Sequence, residues 1–140
     1  MKGLYAQYET DPAVERDGVW LEFGPNTKDK EIRIRVARAG GANEAYLKQL
    51  EFRSKPIRRG IQTETVDRKK LESIVREVYA DTVVVAWENV EDKDGNELAF
   101  NKENVIKILT DLPWIYQEIM DCSTKLQLFR KEIQEADAKN

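Results

Sequence analysis

"LESIVREVYADTVVVAWENV", residues 71–90, decides the fold, because its two halves favour different backbones. In the first half Leu71, Ile74, Val75 and Val78 recur at the three- and four-residue spacing of an amphipathic helix. The second half holds a β-branched run, Thr82 to Val85, whose composition suits a buried strand. Thr82, Val83, Ala86 and Val90 nevertheless continue the helical phase of the first half. Strands seldom extend a helical stripe in register, so the sequence predicts one long helix from Thr65 or Asp67 to Val90.

Upstream the period is two. "GVWLEFG" sets Val19, Leu21 and Phe23 against Trp20 and Glu22, and "EIRIRVA" sets Ile32, Ile34 and Val36 against Arg33 and Arg35. With the turn-rich "GPNTKDK" between them, the two segments predict an antiparallel hairpin over residues 19–37, one face covered by the rest of the protein. The first dozen residues are expected to be extended or loose. After Gly40 and Gly41, Asn43 can cap a short helix carrying Tyr46, Leu47 and Leu50 on one side and ending before Pro56.

Downstream, "ENVEDKDGNELAFNKEN", residues 88–104, is acidic enough to suggest a calcium loop. An EF-hand places glycine sixth, which would put Val90 first and Asn101 twelfth, where Asp and a bidentate Glu are needed. Both ligands are missing, and "DKDGN" instead supplies Asp-Gly chemistry for a tight turn near residues 91–99. Asn101 then caps a helix bearing Val105, Ile106, Ile108 and Leu109, and Asp111 with Pro113 starts another. In that last helix Ile115, Ile119, Cys122, Leu126, Phe129 and Ile133 form a heptad-like seam before a charged tail expected to fray. The fold expected is a single domain over residues 1–140, α+β and mainly α. It consists of an N-terminal β-hairpin followed, over residues 43–137, by a bundle of about four helices.

Composition removes most catalytic chemistry. The chain has no histidine and one cysteine, Cys122, which excludes an internal disulfide, histidine or cysteine-rich zinc sites, and Ser-His-Asp or Cys-His catalysis. The carboxylates are scattered through helix-like surface patterns and read as solvated charge. No catalytic, cofactor or metal residues are therefore assigned, and the chain is read as a non-enzyme. A net charge of −3 in 140 residues argues against nucleic acid as partner. "RSKPIRRG" (residues 53–60) and "DRKK" (67–70) are local basic clusters, but they lack interleaved aromatics. No run approaches the ~20 apolar residues of a membrane span, and "MKGLYAQYET" has no signal-peptide core, so a cytosolic location is expected. Cys122, on the seam and without an activating partner, reads as a buried, inert thiol. Trp114 and Tyr116 flank Ile115 and cannot all face inward from one narrow stripe. Partner contact is accordingly assigned to Trp114, Tyr116, Leu126, Phe129 and Ile133.

Taken together, "RVARAGGANEAYLKQLE", "REVYADTVVVAWENVEDKDGNELAFNKENVIKILTDLP" and "STKLQLFRKEI" resemble the tail assembly chaperones of long-tailed, siphovirus-like bacteriophages, over about residues 32 to 131. The ordered series Tyr79, Ala80, Trp87, Glu88, Asp94, Gly95, Phe100, Glu103, Asn104, Leu109 and Thr110, closing on Phe129 and Arg130, carries the resemblance. It implies a non-enzymatic protein of the host bacterial cytoplasm, absent from the finished virion, that binds the tape measure protein and keeps it soluble while the tail tube assembles. In many members a ribosomal frameshift adds a domain that recruits the tail tube protein. Ala138, Lys139 and Asn140 can be encoded by GCA AAA AAC, which contains a slippery heptamer. Self-association is a further expected contact. The rival readings are a structural tail or connector subunit and, from another class, a small nucleic-acid-binding regulator using "RSKPIRR".

Overall fold

The computed structural model describes residues 2–57 and 67–131. Its centre is a three-stranded antiparallel sheet in the order β1 (Val19–Pro25), β2 (Glu31–Val36), β3 (Val84–Glu88). β1 and β2 form the hairpin, with Val19 opposite Val36 and Leu21 opposite Ile34, so one face is aliphatic. On the other face the Arg33 guanidinium lies 4.6 Å from the centre of the Trp20 ring and its Nη1 is 3.2 Å from Glu88. Arg35 stands 6.0 Å from the same ring. These arginines cover the indole on the face turned away from the core.

The third strand corrects the reading of residues 71–90. The helix there, α4, runs only from Arg68 to Thr82, and the valine run after it is β3. Thr82 Oγ1 donates back to the Val78 carbonyl at 2.7 Å, a local bond that competes with a continuing helix. The next carbonyl along, that of Val83, accepts from Ala37 N at 2.8 Å and so starts the pairing with the hairpin. The helical phase misleads because β3 carries a bulge. Val84 pairs with Val36 but Ala86 with Arg35, leaving Val85 as an extra residue. The bulge puts the two buried strand residues, Val84 and Trp87, three apart, a helix-like spacing written by a strand.

The helices layer over the inner sheet face. α3 (Glu44–Ser54), followed by a short 3-10 turn at Lys55–Ile57, packs along α4; α4 packs on α5 (Lys102–Asp111), and α5 on α6 (Pro113–Ser123). Tyr79, Val105, Leu109 and Ile119 meet Ile34, Val36, Val84 and Trp87 in one core. The architecture is mixed α/β: the expected hairpin is present as β1 and β2, a mid-chain strand extends it to a three-stranded sheet, and the helices layer on that sheet. Asn101 caps α5 as the sequence predicts, accepting from Asn104 N at 2.8 Å. Between β3 and α5 the chain turns over residues 91–97. Gly95 there adopts φ +80°, and Asp92 Oδ1 accepts from the amides of Asp94 (2.9 Å) and Asn96 (3.0 Å).

The chain's first residues are more ordered than the sequence reading allowed. Two short helices, α1 (Leu4–Tyr8) and α2 (Pro12–Asp17), precede the sheet. Asp11 accepts from Ala13 N at 3.0 Å with Pro12 at the first helical position, a start signal that the Asp-Pro pair carried in the sequence. α2 buries Glu15, which pairs with Arg38, and Gly41 at φ +55° leaves the room for that pair. The seam of the last helix is also interrupted. α6 stops at Ser123 and α7 (Leu126–Phe129) follows after an extended Lys125. Ser123 Oγ and Thr124 Oγ1 both donate to the Met120 carbonyl, at 2.8 and 3.3 Å, diverting the acceptor that would carry the helix on. Beyond α7, Thr10 and Arg130 form an antiparallel bridge, flanked by Asp11 N to Phe129 O and Lys131 N to Glu9 O.

Asn43 stands at the cap position of α3, but its side chain makes no cap bond. Its amide donates instead to the Arg38 carbonyl at 2.8 Å and the Thr82 carbonyl at 2.9 Å. The second of these is one of the orphan acceptors at the end of α4. Asn43→Ala is therefore expected to cost about 2–4 kcal/mol by leaving buried acceptors unpaired, read from urea denaturation. Asn43→Asp distinguishes bridge from cap: aspartate caps as well as asparagine but cannot donate, so it should fail to restore stability.

Candidate functional site

A concavity lies where the hairpin tip meets the end of β3. The tip is latched to the turn by polar bonds. Glu91 accepts from Thr27 N at 2.8 Å and Thr27 Oγ1 at 2.7 Å, and Lys28 Nζ donates to the Gly95 carbonyl at 3.1 Å. Asn26 donates to Asn89 O at 3.2 Å, while Asn89, at φ +63°, returns a bond to Glu31 O at 2.7 Å. Asparagine tolerates the left-handed backbone that aims its amide there.

Behind this latch is a groove of about 500 Å³. Phe23, Ile32 and Ile34 of the hairpin form one side, and Ile108, Leu112 and Ile115 of the α5–α6 corner form the other. A second hollow of about 470 Å³ adjoins it, sharing Glu91, Asp92, Ile108 and Leu112. It adds Lys93, Asp94, Lys107 and Asp111, so hydrocarbon passes directly into charge. Pro113 shapes the corner. A residue before proline is pushed out of the helical region, and Leu112 sits at φ −124°, ψ 76°, with its side chain 52% exposed. Trp114, in the first turn of α6, is 87% exposed. Such a surface can take up apolar side chains; its lining offers no nucleophile beside a base.

Of the five residues assigned to partner contact, the four among the described residues differ widely in exposure. Trp114 stands in solvent, whereas Tyr116 is 9% and Phe129 1% exposed, and Leu126 is half-buried. Ile133 lies outside the described residues. Tyr116 stacks edge-on against Tyr79 at 5.7 Å between ring centres, and Tyr79 does so against Tyr46 at 6.0 Å. Burial, then the neighbouring Tyr79, pushes the Tyr116 phenol up to about 12. Tyr116 and Phe129 are thus core side chains: Tyr116 packs on Tyr79 of α4, and Phe129 lies on α7, beyond the break at Thr124 and Lys125. Burial likewise raises the Cys122 thiol above its ordinary range, keeping it protonated. Of the basic clusters, Arg53 is committed to Glu77 and, at 2.7 Å, to Asp81, which also takes Lys102 at 3.1 Å. Arg58 and Arg59 lie outside the described residues. Among the described residues, no cluster of histidine, cysteine or carboxylate side chains could hold a metal ion, and no helix is long and apolar enough to cross a membrane.

Phe129→Ala is expected to cost about 3–5 kcal/mol, whereas Trp114→Ala should stay within about 0.5 kcal/mol of the parent, both by chemical denaturation. The latch also has a pH signature. The Thr27 amide and hydroxyl hold the Glu91 carboxyl below the usual carboxylate range, and the Asn96 amide does the same for Asp92. Groups lowered on folding stabilise above the ordinary carboxylate range and lose that contribution as pH falls through the lowered value. Stability should therefore drop on acidification with less slope in Glu91→Gln than in the parent, measured by denaturation across pH 2 to 6.

Residues 41–140, well over half of the chain, match the family model described as YdaY prophage protein. That span starts after β2 and takes in α3, α4, β3 and every later element. No curated protein and no solved structure matches the chain. On the family match the chain is phage-derived and belongs to the YdaY prophage protein family.

Proposed function

We propose that this phage-derived chain is a tail assembly chaperone, a non-enzymatic protein that binds the tape measure protein and keeps it soluble while the tail is built. The observation that carries the reading is the open apolar groove at the α5–α6 corner, lined by the exposed Leu112, on a chain that also leaves Trp114 in solvent. A folded domain gains nothing in water from an exposed indole and an unfilled aliphatic groove; an aggregation-prone helical client supplies the missing apolar surface. The resemblance across Tyr79–Ala80, Trp87–Glu88, Asp94–Gly95 and Phe129–Arg130 implies that client, and the match to a prophage protein family supports a phage setting for the reading.

A chaperone of this kind works by number. Copies spaced along one rod-like client each bind weakly, and avidity along the rod gives residence without a tight individual pocket. Release then requires only that the growing tube displace the copies one at a time. The working place is the host bacterial cytoplasm, with the protein left out of the finished virion. The tail tube protein would be recruited by a frameshifted, extended form where one is made.

Co-expression with the tape measure gene of the same prophage tests this. The client should move from the pellet to the soluble fraction and co-purify with the chain. A client that stays insoluble beside abundant soluble chain overturns the reading, and stoichiometric copies in purified particles would make the chain a structural tail subunit instead.

A further inference from the structure

The apolar groove and the charged hollow are continuous through Glu91, Asp92, Ile108 and Leu112, and this juxtaposition carries information about what fits. We propose that the groove receives the ridge of one amphipathic α-helix whose apolar stripe is bordered, on the side facing α5, by lysine or arginine. For the natural occupant this rests on the chaperone reading; the chemistry of the groove does not.

Three observations favour a helix so flanked. First, the groove is walled on one side by a sheet face (Phe23, Ile32, Ile34) and on the other by a helix corner, with Ile108 on α5, Leu112 between the helices and Ile115 on α6. Walls of that kind accept a row of side chains at i, i+3, i+4 and i+7. Secondly, the adjoining hollow sets four carboxylates (Glu91, Asp92, Asp94, Asp111) against two ammonium groups (Lys93, Lys107). Glu91 is consumed by Thr27 and Lys28, and Asp92 by the turn amides of Asp94 and Asn96. The carboxylates of Asp94 and Asp111 have no hydrogen-bond or ion partner among the described residues, so they are the ones free to take a cation from outside. Thirdly, Leu112 belongs to both hollows and is half in solvent, placed to sit between the stripe and its basic border.

Two designed peptides of about 18 residues, a length that spans five helical turns, serve as probes. Both carry the same leucine stripe, one bordered by lysine and the other by glutamate. Labelled peptides are titrated with the full chain and followed by fluorescence anisotropy at low and high salt. The lysine-bordered peptide should bind about tenfold more tightly than the glutamate-bordered one, and added salt should shrink that ratio. Leu112→Glu should abolish binding, and the double variant Asp94→Asn, Asp111→Asn should bring the two peptides together while leaving the leucine stripe bound. Thermal melts of both variants, which alter exposed side chains, confirm that the fold is retained.

Equal binding of the two peptides by the parent overturns the charge rule, and binding that survives Leu112→Glu places the occupant elsewhere. A dimer in sedimentation that Leu112→Glu dissociates would make a second copy the occupant and overturn the proposal. Failure of this inference is separable from failure of the chaperone reading. A tape measure protein still solubilised by Leu112→Glu leaves that reading intact, whereas peptides that bind as stated beside an insoluble client leave only the inference.

Discussion

The carbonyl of Thr82 is the point on which the rest of the structure turns. It ends a helix in the protein interior, where an unpaired acceptor costs more than most single contacts supply. Asn43 meets it with a side-chain amide that simultaneously holds the Arg38 carbonyl. One residue later, Val83 hands its own carbonyl to Ala37. Helix, loop and hairpin are thereby fastened at one place, and β3 leaves it already in register with β2. Tyr79, a turn earlier on α4, extends the same junction to the C-terminal region: its hydroxyl lies 3.2 Å from Ser123 Oγ, while the Ser123 carbonyl accepts from Ala39 N.

How much of this was legible depended on whether the deciding signal was local. The alternation in Val19–Phe23 and Ile32–Val36 is a two-residue pattern with no competing reading, and the hairpin faces follow from it. The caps at Asn101 and Asp11 are local too, although only the first was read, because the apolar content around Pro12 is too slight to advertise a helix. The valine run failed for a physical reason. A bulge adds one residue to a strand, converting spacing of two into spacing of three, and nothing in residues 82–87 alone separates that from a helical stripe. Bulge placement is fixed by the partner strand. Similarly, Ile119 and Phe129 of the seam do face inward, but serine and threonine hydroxyls at 123 and 124 break the helix that was to carry it.

The groove was still less accessible to sequence reading, since its walls come from the hairpin, the end of β3 and the α5–α6 corner, distant in the chain. Its exposed member Leu112 is marked by the following proline, which expels it from helical geometry. The rest is held open by polar chemistry. Thr27, Lys28 and Asn26 spend their hydrogen bonds on Glu91, Gly95 and Asn89, so the hairpin tip is braced against the turn without filling the space behind it. On the proposed reading, binding there would draw its energy from apolar area and its orientation from the neighbouring charge.

The sheet also bears on what the family span can mean physically. Among the described residues, the span 41–140 contributes one strand to the sheet, and the neighbour on which it pairs, β2, comes from the forty residues before it. Removed from that neighbour, the segment would present a bare run of amide and carbonyl groups beside Val84 and Trp87, the combination that nucleates cross-chain pairing. Recognisable ancestry and foldable unit therefore do not coincide in this chain: excised at the boundary of its sequence match, it would become a template for aggregates.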